Sequence, residues 1–138
     1  MRTMGIDFGL ARIGIALSDE TKFLANPYET YKRKNTSADI DYFIDLIKSK
    51  NVDEIVCGLP LNMQGEEQEI AHQTREFMEQ IASKSGVPIH YLDERLSSQM
   101  AEDILKERER DWRKRKEKLD AVSATLILQD YLDTRSRY

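Results

Sequence analysis

The chain has 138 residues, of which 33% are charged and 40% hydrophobic, and its net charge is -4. This length and balance fit one globular domain, and no apolar run approaches membrane-spanning length. The lone cysteine, Cys57, excludes an intrachain disulfide. Because no N-terminal targeting signal precedes the first strand, we expect a cytoplasmic protein with one domain over residues 1–138.

The first predicted element is a strand over residues 2–9 that carries Asp7 in its middle. Met4, Ile6 and Phe8 alternate with the acid, so a period of two places them on one face and Asp7 on the other. A carboxylate in an apolar strand is costly unless a partner stabilises it. Asp7 is therefore either an edge acid that faces water or part of a site.

The later elements alternate between strands and helices. The pattern predicts strands at residues 13–17, 23–32, 54–58 and 87–92, and helices at 37–50, 66–85, 97–105 and 119–132. Pro27 indicates an edge or a bulge in the third strand. We expect a mobile connection over the charged segment that ends at Lys118. This order predicts an α/β fold, a mixed five-stranded sheet flanked by helices.

Acidic residues recur where several predicted elements would meet. Asp7 lies in the first strand, and Asp93 and Glu94 end the last one. Asp120 begins the last predicted helix, whose small residues would let it approach the sheet. Converging carboxylates repel unless a cation lies between them, and Mg²⁺ or Mn²⁺ suits such ligands. Two ions about 3.5–4 Å apart would favour displacement at phosphorus. The alternative is a scatter of surface acids in a chain that has 25 of them.

A basic segment precedes the last predicted helix. Residues 106–118 contain eight basic and four acidic residues, so they carry +4 in a chain whose net charge is -4, and the remainder carries -8. Such a local basic patch either contacts the phosphate backbone of a nucleic acid or is only a solvent-exposed surface. Trp112, inside this segment, either stacks on a base or packs as its apolar anchor.

Five motifs, in order along the chain, resemble the YqgF family. They are Gly5-x-Asp7-x-Gly9, Arg12-Ile13-Gly14-x-Ala16-x-Ser18-Asp19, Gly58-Leu59-Pro60-x-Asn62-x-x-Gly65, Asp93-Glu94-Arg95-Leu96-Ser97, and Asp120-Ala121-x-x-Ala124 with Ile127-Leu128-Gln129-x-Tyr131-Leu132. That family is described as Holliday-junction-resolvase-like and as a nuclease of pre-16S rRNA. The resemblance implies an RNase H-like fold, metal-dependent nuclease activity, a cytoplasmic location and a role in ribosome biogenesis.

The resemblance also implies a set of site residues. The catalytic and metal-binding acids fall on Asp7, Glu94 and Asp120, with Asp93 as a further metal ligand. The substrate-binding residues that we expect are Arg12, Asn62, Arg95, Arg113, Lys114, Arg115 and Lys116. For Asn62 a role as a turn former stays open, and for Arg95 a structural salt bridge does.

The chain departs from the family at two positions. Ala11 stands where the family often has a basic residue, which weakens a phosphate contact beside Asp7. Ser123 stands where the family commonly has Ala, a small change that a close helix contact should tolerate.

The expected partners are precursor rRNA, branched DNA or both, with no membrane, and the protein is expected to be a monomer or a homodimer. Two rival functions stay open. One is a non-catalytic RNA-binding module for ribosome assembly. The other is an actin-like nucleotide phosphotransferase, whose second lobe 138 residues cannot supply.

Overall fold

Five strands and three helices form the described part of this computed structural model, which covers residues 1–93 and 112–136, with side chains described at 119–135 of the second range. The strands are β1 (Arg2–Phe8), β2 (Arg12–Ser18), β3 (Ala25–Lys32), β4 (Val52–Leu59) and β5 (Ile89–Asp93). The helices are α1 (Thr36–Ser49), α2 (Glu69–Ser85) and α3 (Trp112–Ser136).

The sheet has the strand order β3-β2-β1-β4-β5. β1, β2 and β3 pair antiparallel, whereas β1, β4 and β5 run parallel. The predicted mixed five-stranded sheet is therefore confirmed. Pro27 lies on the edge strand, beside a register shift between Ile15 and Ala16, so the edge and the bulge that it indicated are both present.

Helices cover both faces of this sheet. On one face, Met4, Ile6 and Phe8 join a buried cluster that includes Phe43 of α1 and Phe77 of α2. On the other face, small side chains of the sheet pack against α3 in a second cluster, whose buried members are Ala16, Val56, Ala124, Ile127, Leu128 and Leu132. Because successive residues of a strand point to opposite faces, Asp7 lies on the face that α3 covers, away from Met4, Ile6 and Phe8, as predicted.

The starts of α1 and α2 differ from the predictions. α1 begins after Asn35, whose side chain accepts a hydrogen bond from the Ala38 backbone N–H, so Asn35 and not Ser37 is the cap. α2 begins at Glu69 because residues 61–67 close a loop through the Leu61–Glu67 bridge. It ends as predicted at Gly86, which has a φ of 74°.

The last helix departs furthest from the prediction. α3 begins at Trp112, so residues 112–118, which we expected to belong to a mobile connection, are helical. Lys, Arg and Glu are good helix formers, so the fully charged run 113–118 favours a helix. The side chain of Trp112, and with it the choice between stacking on a base and packing as an anchor, lies outside the described set. Asp120 lies inside α3 rather than at its start. The helix predicted at 97–105 lies outside the described residues.

Candidate active site

Asp7 lies near the carboxyl end of β1, half-buried on the face that α3 covers. Its partner in the antiparallel ladder is Gly14 of β2. The parallel strands β1, β4 and β5 all end at this edge of the sheet, which is the usual location of functional groups in sheets of this kind. Asp7 therefore lies at the edge of the sheet where a substrate could contact the carboxyl ends of β1, β4 and β5.

Gly14 lets α3 lie directly on the β1–β2 pair. A Cβ atom at Gly14 would stand 1.9 Å from the backbone oxygen of Asp120 and 2.2 Å from its carbonyl carbon. Farther along the helix, a Cβ at Gly5 would stand 2.7 Å from Leu128 Cβ. The absence of these two side chains seats α3 against the sheet, and it brings Asp120 over the residue that pairs with Asp7.

The Asp120 carboxylate is held by Arg12 of β2. Arg12 Nε donates a 2.8 Å hydrogen bond to Asp120 Oδ2, and the two side chains are 42% and 22% exposed. Ala121 and Ala124 are buried beneath the same stretch of helix, as the expected close approach requires. Arg12, predicted as a substrate contact, therefore also fixes one of the two acids.

Asp7 and Asp120 suit a hard divalent cation, because both offer carboxylate oxygens on one face of the sheet. Within residues 1–93 and 112–136, however, three acidic, histidine or cysteine side chains do not gather into a metal-binding group. Glu94, predicted as the third acid, lies outside the described residues, as does Arg95.

Asp93 is the last residue of β5 and is exposed. Leu92 packs with the cluster beneath α3, whereas Tyr91 packs with the cluster beneath α1 and α2. Alternation along the strand therefore assigns Asp93 to the face of Tyr91, opposite the face of Asp7. The described part of the fold places Asp7 and Asp120 on the same face of the sheet, and it does not place Asp93 on that face.

Asn62 uses its side chain to shape the loop that follows β4. Its Oδ1 accepts hydrogen bonds from the backbone N–H groups of Gln64 at 3.0 Å and Glu66 at 2.9 Å. Its Nδ2 lies 3.2 Å from Glu66 Oε1. The turn-forming role is therefore visible, and the loop stands at the same sheet edge as Asp7. The other predicted contacts, Arg113 to Lys116, lie in the first turns of α3, and their side chains are outside the described set.

A buried network that the sequence did not reveal anchors the far part of α3. Glu54 of β4 is 7% exposed and accepts hydrogen bonds from Thr3 Oγ1 at 2.8 Å and Tyr131 at 3.0 Å. Lys22 and Arg135 also pair with this carboxylate. Burial raises the pKa of Glu54, but the hydrogen bonds from Thr3, Lys22 and Tyr131 outweigh it and hold the pKa below its ordinary value.

This network matters to the site because Tyr131 and Arg135 belong to the same helix as Asp120. The sequence signal for this network is Glu54, an acid at the start of the predicted apolar strand, but the partners of Glu54 lie up to 81 residues away.

No helix in the described ranges combines the length and hydrophobicity that a bilayer crossing requires.

Comparison with known proteins adds a family match and a set of relatives. The family model described as "RuvX: Holliday junction resolvase" matches residues 1–134. A protein of Moorella thermoacetica named "Putative pre-16S rRNA nuclease" is 40% identical over 133 residues, covering 96% of this chain and 95% of that protein. One of the same name from Endomicrobium trichonymphae is 42% identical over 136 residues, covering 98% and 97%.

Two solved structures share the fold at low sequence identity. Thermus thermophilus RuvC in complex with a Holliday junction substrate has a TM-score of 0.65 at 14% identity, covering 99% of this chain and 96% of that chain. The fowlpox virus resolvase in complex with Holliday junction DNA has a TM-score of 0.60 at 12% identity, covering 98% and 99%. This likeness confirms the RNase H-like fold that the motifs implied.

Proposed function

The chain belongs to the RuvX family, and we propose that it is a metal-dependent nuclease that processes the 5′ end of pre-16S rRNA in the cytoplasm. The family match and the relatives named as nucleases confirm the resemblance and the assignment to the hydrolases. The observation that carries the proposed site is the seating of α3 on Gly14, which sets Asp120 over the strand pair that holds Asp7.

The proposed metal ligands are Asp7, Glu94 and Asp120, with Asp93 as a fourth candidate that the strand alternation disfavours. Asp7 and Asp120 fit this role because both carry carboxylate oxygens, the ligands that Mg²⁺ and Mn²⁺ prefer, on the same face of the sheet. When bound, Mg²⁺ or Mn²⁺ would supply Lewis-acid stabilisation and an activated water for attack at phosphorus. The buried contact between α3 and the β1–β2 pair would keep Asp120 in a fixed position relative to Asp7 while the substrate binds.

Arg12 supports this site in two ways. Its Nε fixes Asp120, and its exposed guanidinium carries further N–H donors that can contact a substrate phosphate. We propose that Arg113, Lys114, Arg115 and Lys116 bind phosphates of the nucleic-acid strand, together with Arg95 and the Asn62 loop. Together these groups would hold the backbone of the nucleic acid across the carboxyl edge of the sheet.

A cleavage assay tests this proposal. Purified protein is incubated with labelled RNA spanning the 5′ end of pre-16S rRNA, in Mg²⁺ or Mn²⁺. We expect Asp7→Asn and Asp120→Asn to lose more than the roughly 10- to 100-fold that removal of an outer-shell partner costs. Asp45→Asn, which neutralises an exposed acid on α1, is the matched control and should cleave normally.

Thermal melting gives a second readout that does not depend on activity. Ligand binding to the folded state raises the melting temperature, so Mn²⁺ should stabilise the wild type and stabilise Asp7→Asn less. If millimolar Mn²⁺ leaves the melting temperature unchanged and the wild type cleaves no RNA, the protein is not a metal-dependent nuclease. RNA binding without cleavage would then favour the assembly-module alternative.

The family description also favours a second substrate, branched DNA. The same assay with a labelled four-way DNA junction separates the two. Cleavage of the junction and not of the RNA would transfer the proposed activity to DNA without changing the acids that perform it.

A further inference from the structure

A cleft opens on the face of the sheet opposite Asp7, directly behind the carboxyl end of β1. It has a volume of about 210 Å³ and lies between α2 and the start of α1. Phe8, the residue after Asp7, lines its base, and the exposed Leu10 of the β1–β2 turn lines its mouth. The cleft therefore shares a sheet edge with the candidate active site, one residue away along β1.

The Arg33 guanidinium lies over the aromatic rings at the base of this cleft and forms its floor. The Arg33 guanidinium carbon lies 5.0 Å from the centre of the Phe8 ring and 5.2 Å from that of Phe77. Arg33 Nε donates a 2.9 Å hydrogen bond to Asp39, which is fully buried. The Arg33 backbone N–H donates to the Ala11 carbonyl in the β1–β2 turn. This floor is planar and held in place before any ligand arrives.

The charge on Arg33 is already balanced. Burial raises the pKa of the Asp39 carboxyl, but hydrogen bonds from the Lys34 backbone, Arg33 and Tyr31 outweigh it and hold the pKa below its ordinary value. Asp39 therefore stays ionised at neutral pH and neutralises Arg33. A second carboxylate, that of Glu76, lines the cleft itself. With this balance, the cleft does not favour a phosphate group.

The rim consists of hydrogen-bonding side chains from one stripe of α2. Gln73, Glu76 and Gln80 line the cleft at helical spacing, and Thr36 faces them from the first turn of α1. Amide groups both donate and accept hydrogen bonds, while a carboxylate accepts them. Such a rim suits a neutral planar ring with N–H donors and carbonyl acceptors on its edges.

We propose that this cleft binds one unpaired nucleobase of the substrate strand, close to the bond that is cut. The base would stack on the Arg33 floor and present its edge to Gln73, Glu76 and Gln80. The volume is below the roughly 300–1,000 Å³ of sites for drug-sized ligands, which suits a single base with its sugar outside. The strand would cross the β1–β2 turn, with the phosphate on the side of Asp7 and the base behind it.

This inference rests on the proposed function, because it takes the ligand from the same nucleic acid. Its test is a binding scan in EDTA with short single-stranded RNAs, each lacking one base. For the wild type, we expect one position at which loss of the base weakens binding by about 5- to 150-fold, as expected for base stacking. In Gln73→Ala/Gln80→Ala, loss of that same base should weaken binding clearly less than it does in the wild type, because the edge of the base no longer meets the two amides while its stacking on Arg33 remains.

A matched pair of variants isolates recognition of the base from charge. Glu76→Gln and Glu79→Gln each remove one negative charge from exposed positions of α2, but only Glu76 lines the cleft. Both should strengthen RNA binding slightly through charge. Only Glu76→Gln should change the order of preference among the four bases at the sensitive position.

A flat scan in the wild type, RNA binding too weak to measure, or an undiminished effect of that base in the double variant would overturn the inference. Cleavage in Mn²⁺ is measured in parallel. Cleavage with a flat scan rejects the base cleft alone, whereas a sensitive position without cleavage rejects the nuclease proposal and retains the cleft.

Discussion

Gly14→Ala is the sharpest perturbation of the site because it adds one methyl group where the Asp120 backbone already lies. The new Cβ would stand 1.9 Å from the Asp120 carbonyl oxygen, and ordinary van der Waals contact begins at about 3.4 Å, so the two must separate by about 1.5 Å. The atoms in conflict are backbone on both sides, and rotation of a side chain cannot relieve the clash. α3 must therefore move away from the sheet, and Asp120 moves with it.

Two magnitudes follow from that displacement. Overpacking of a well-packed contact costs typically about 1–3 kcal/mol, and a backbone clash belongs at the upper end of this range. A misplacement of about 1 Å can cost roughly 100-fold in rate, so a shift of this size should lower cleavage by at least about 100-fold. The loss of activity should thus exceed what partial unfolding of a stable protein explains.

Gly86→Ala is the matched control. Gly86 has a φ of 74° at the end of α2, and a Cβ there would meet nothing within 4 Å. Its replacement should cost about 1–2 kcal/mol through the left-handed backbone alone. For both variants, the free energy of unfolding is measured by urea denaturation. Single-turnover cleavage in Mn²⁺ is measured without urea, at a temperature below the melting temperatures of both variants. If Gly14→Ala cleaves as fast as Gly86→Ala, the position of Asp120 on the sheet does not govern the reaction.

Three further predictions use the same denaturation and binding assays. Ser123 Oγ is buried without a hydrogen-bond partner among the described residues, so Ser123→Ala should raise the free energy of unfolding by roughly 1 kcal/mol. A variant less stable than the wild type would show that the hydroxyl does have a stabilising partner. The folded pKa of Asp39 is below the ordinary 3.8, so its stabilisation is complete above about pH 3.8 and is lost as the pH falls through the folded pKa. Asp39→Asn should therefore cost about 3 kcal/mol at neutral pH, the lower end of the range for a broken buried ion pair, because Arg33 is 15% exposed, and it should cost less in acid. An equal loss at both pH values would contradict the ion pair. Replacement of residues 113–116 by Gln should preserve α3 and reduce the salt slope of RNA binding by about 0.7 for each phosphate that the protein no longer neutralises, whereas an unchanged slope would make this run a solvated face.

The central strands and the faces of the sheet could be predicted because local alternation determines them. Met4, Ile6 and Phe8 are buried on one face as their spacing indicated, and Cys57 is buried in β4. Pro27 marked both the edge strand and its bulge, because a residue without a backbone N–H is excluded from the centre of a sheet.

The start of α3 could not be predicted from the same kind of signal. Hydrophobic periodicity is the main sequence signal of a helix, and residues 112–118 have almost none. Their charged side chains nevertheless favour helix intrinsically, so the helix extends to Trp112. Asp120 is therefore in the interior of α3 and not in its first turn. An acid at this position gains little from the helix dipole, because the effect of the dipole is confined to the terminal turns.

The position of Asp120 also depends on contacts that no local pattern encodes. Arg12 and Asp120 are 108 residues apart, and Glu54 and Tyr131 are 77 apart, yet both pairs fix the same helix on the same sheet. One pair holds α3 at the edge where Asp7 lies, and the other holds it near the opposite end of β4. Because a rigid helix clamped at two points cannot slide or tilt freely, the network at Glu54 contributes to the geometry of the acids although it touches neither of them. A family resemblance can predict a site role for Asp120, but only the three-dimensional arrangement shows which distant residues keep it in place.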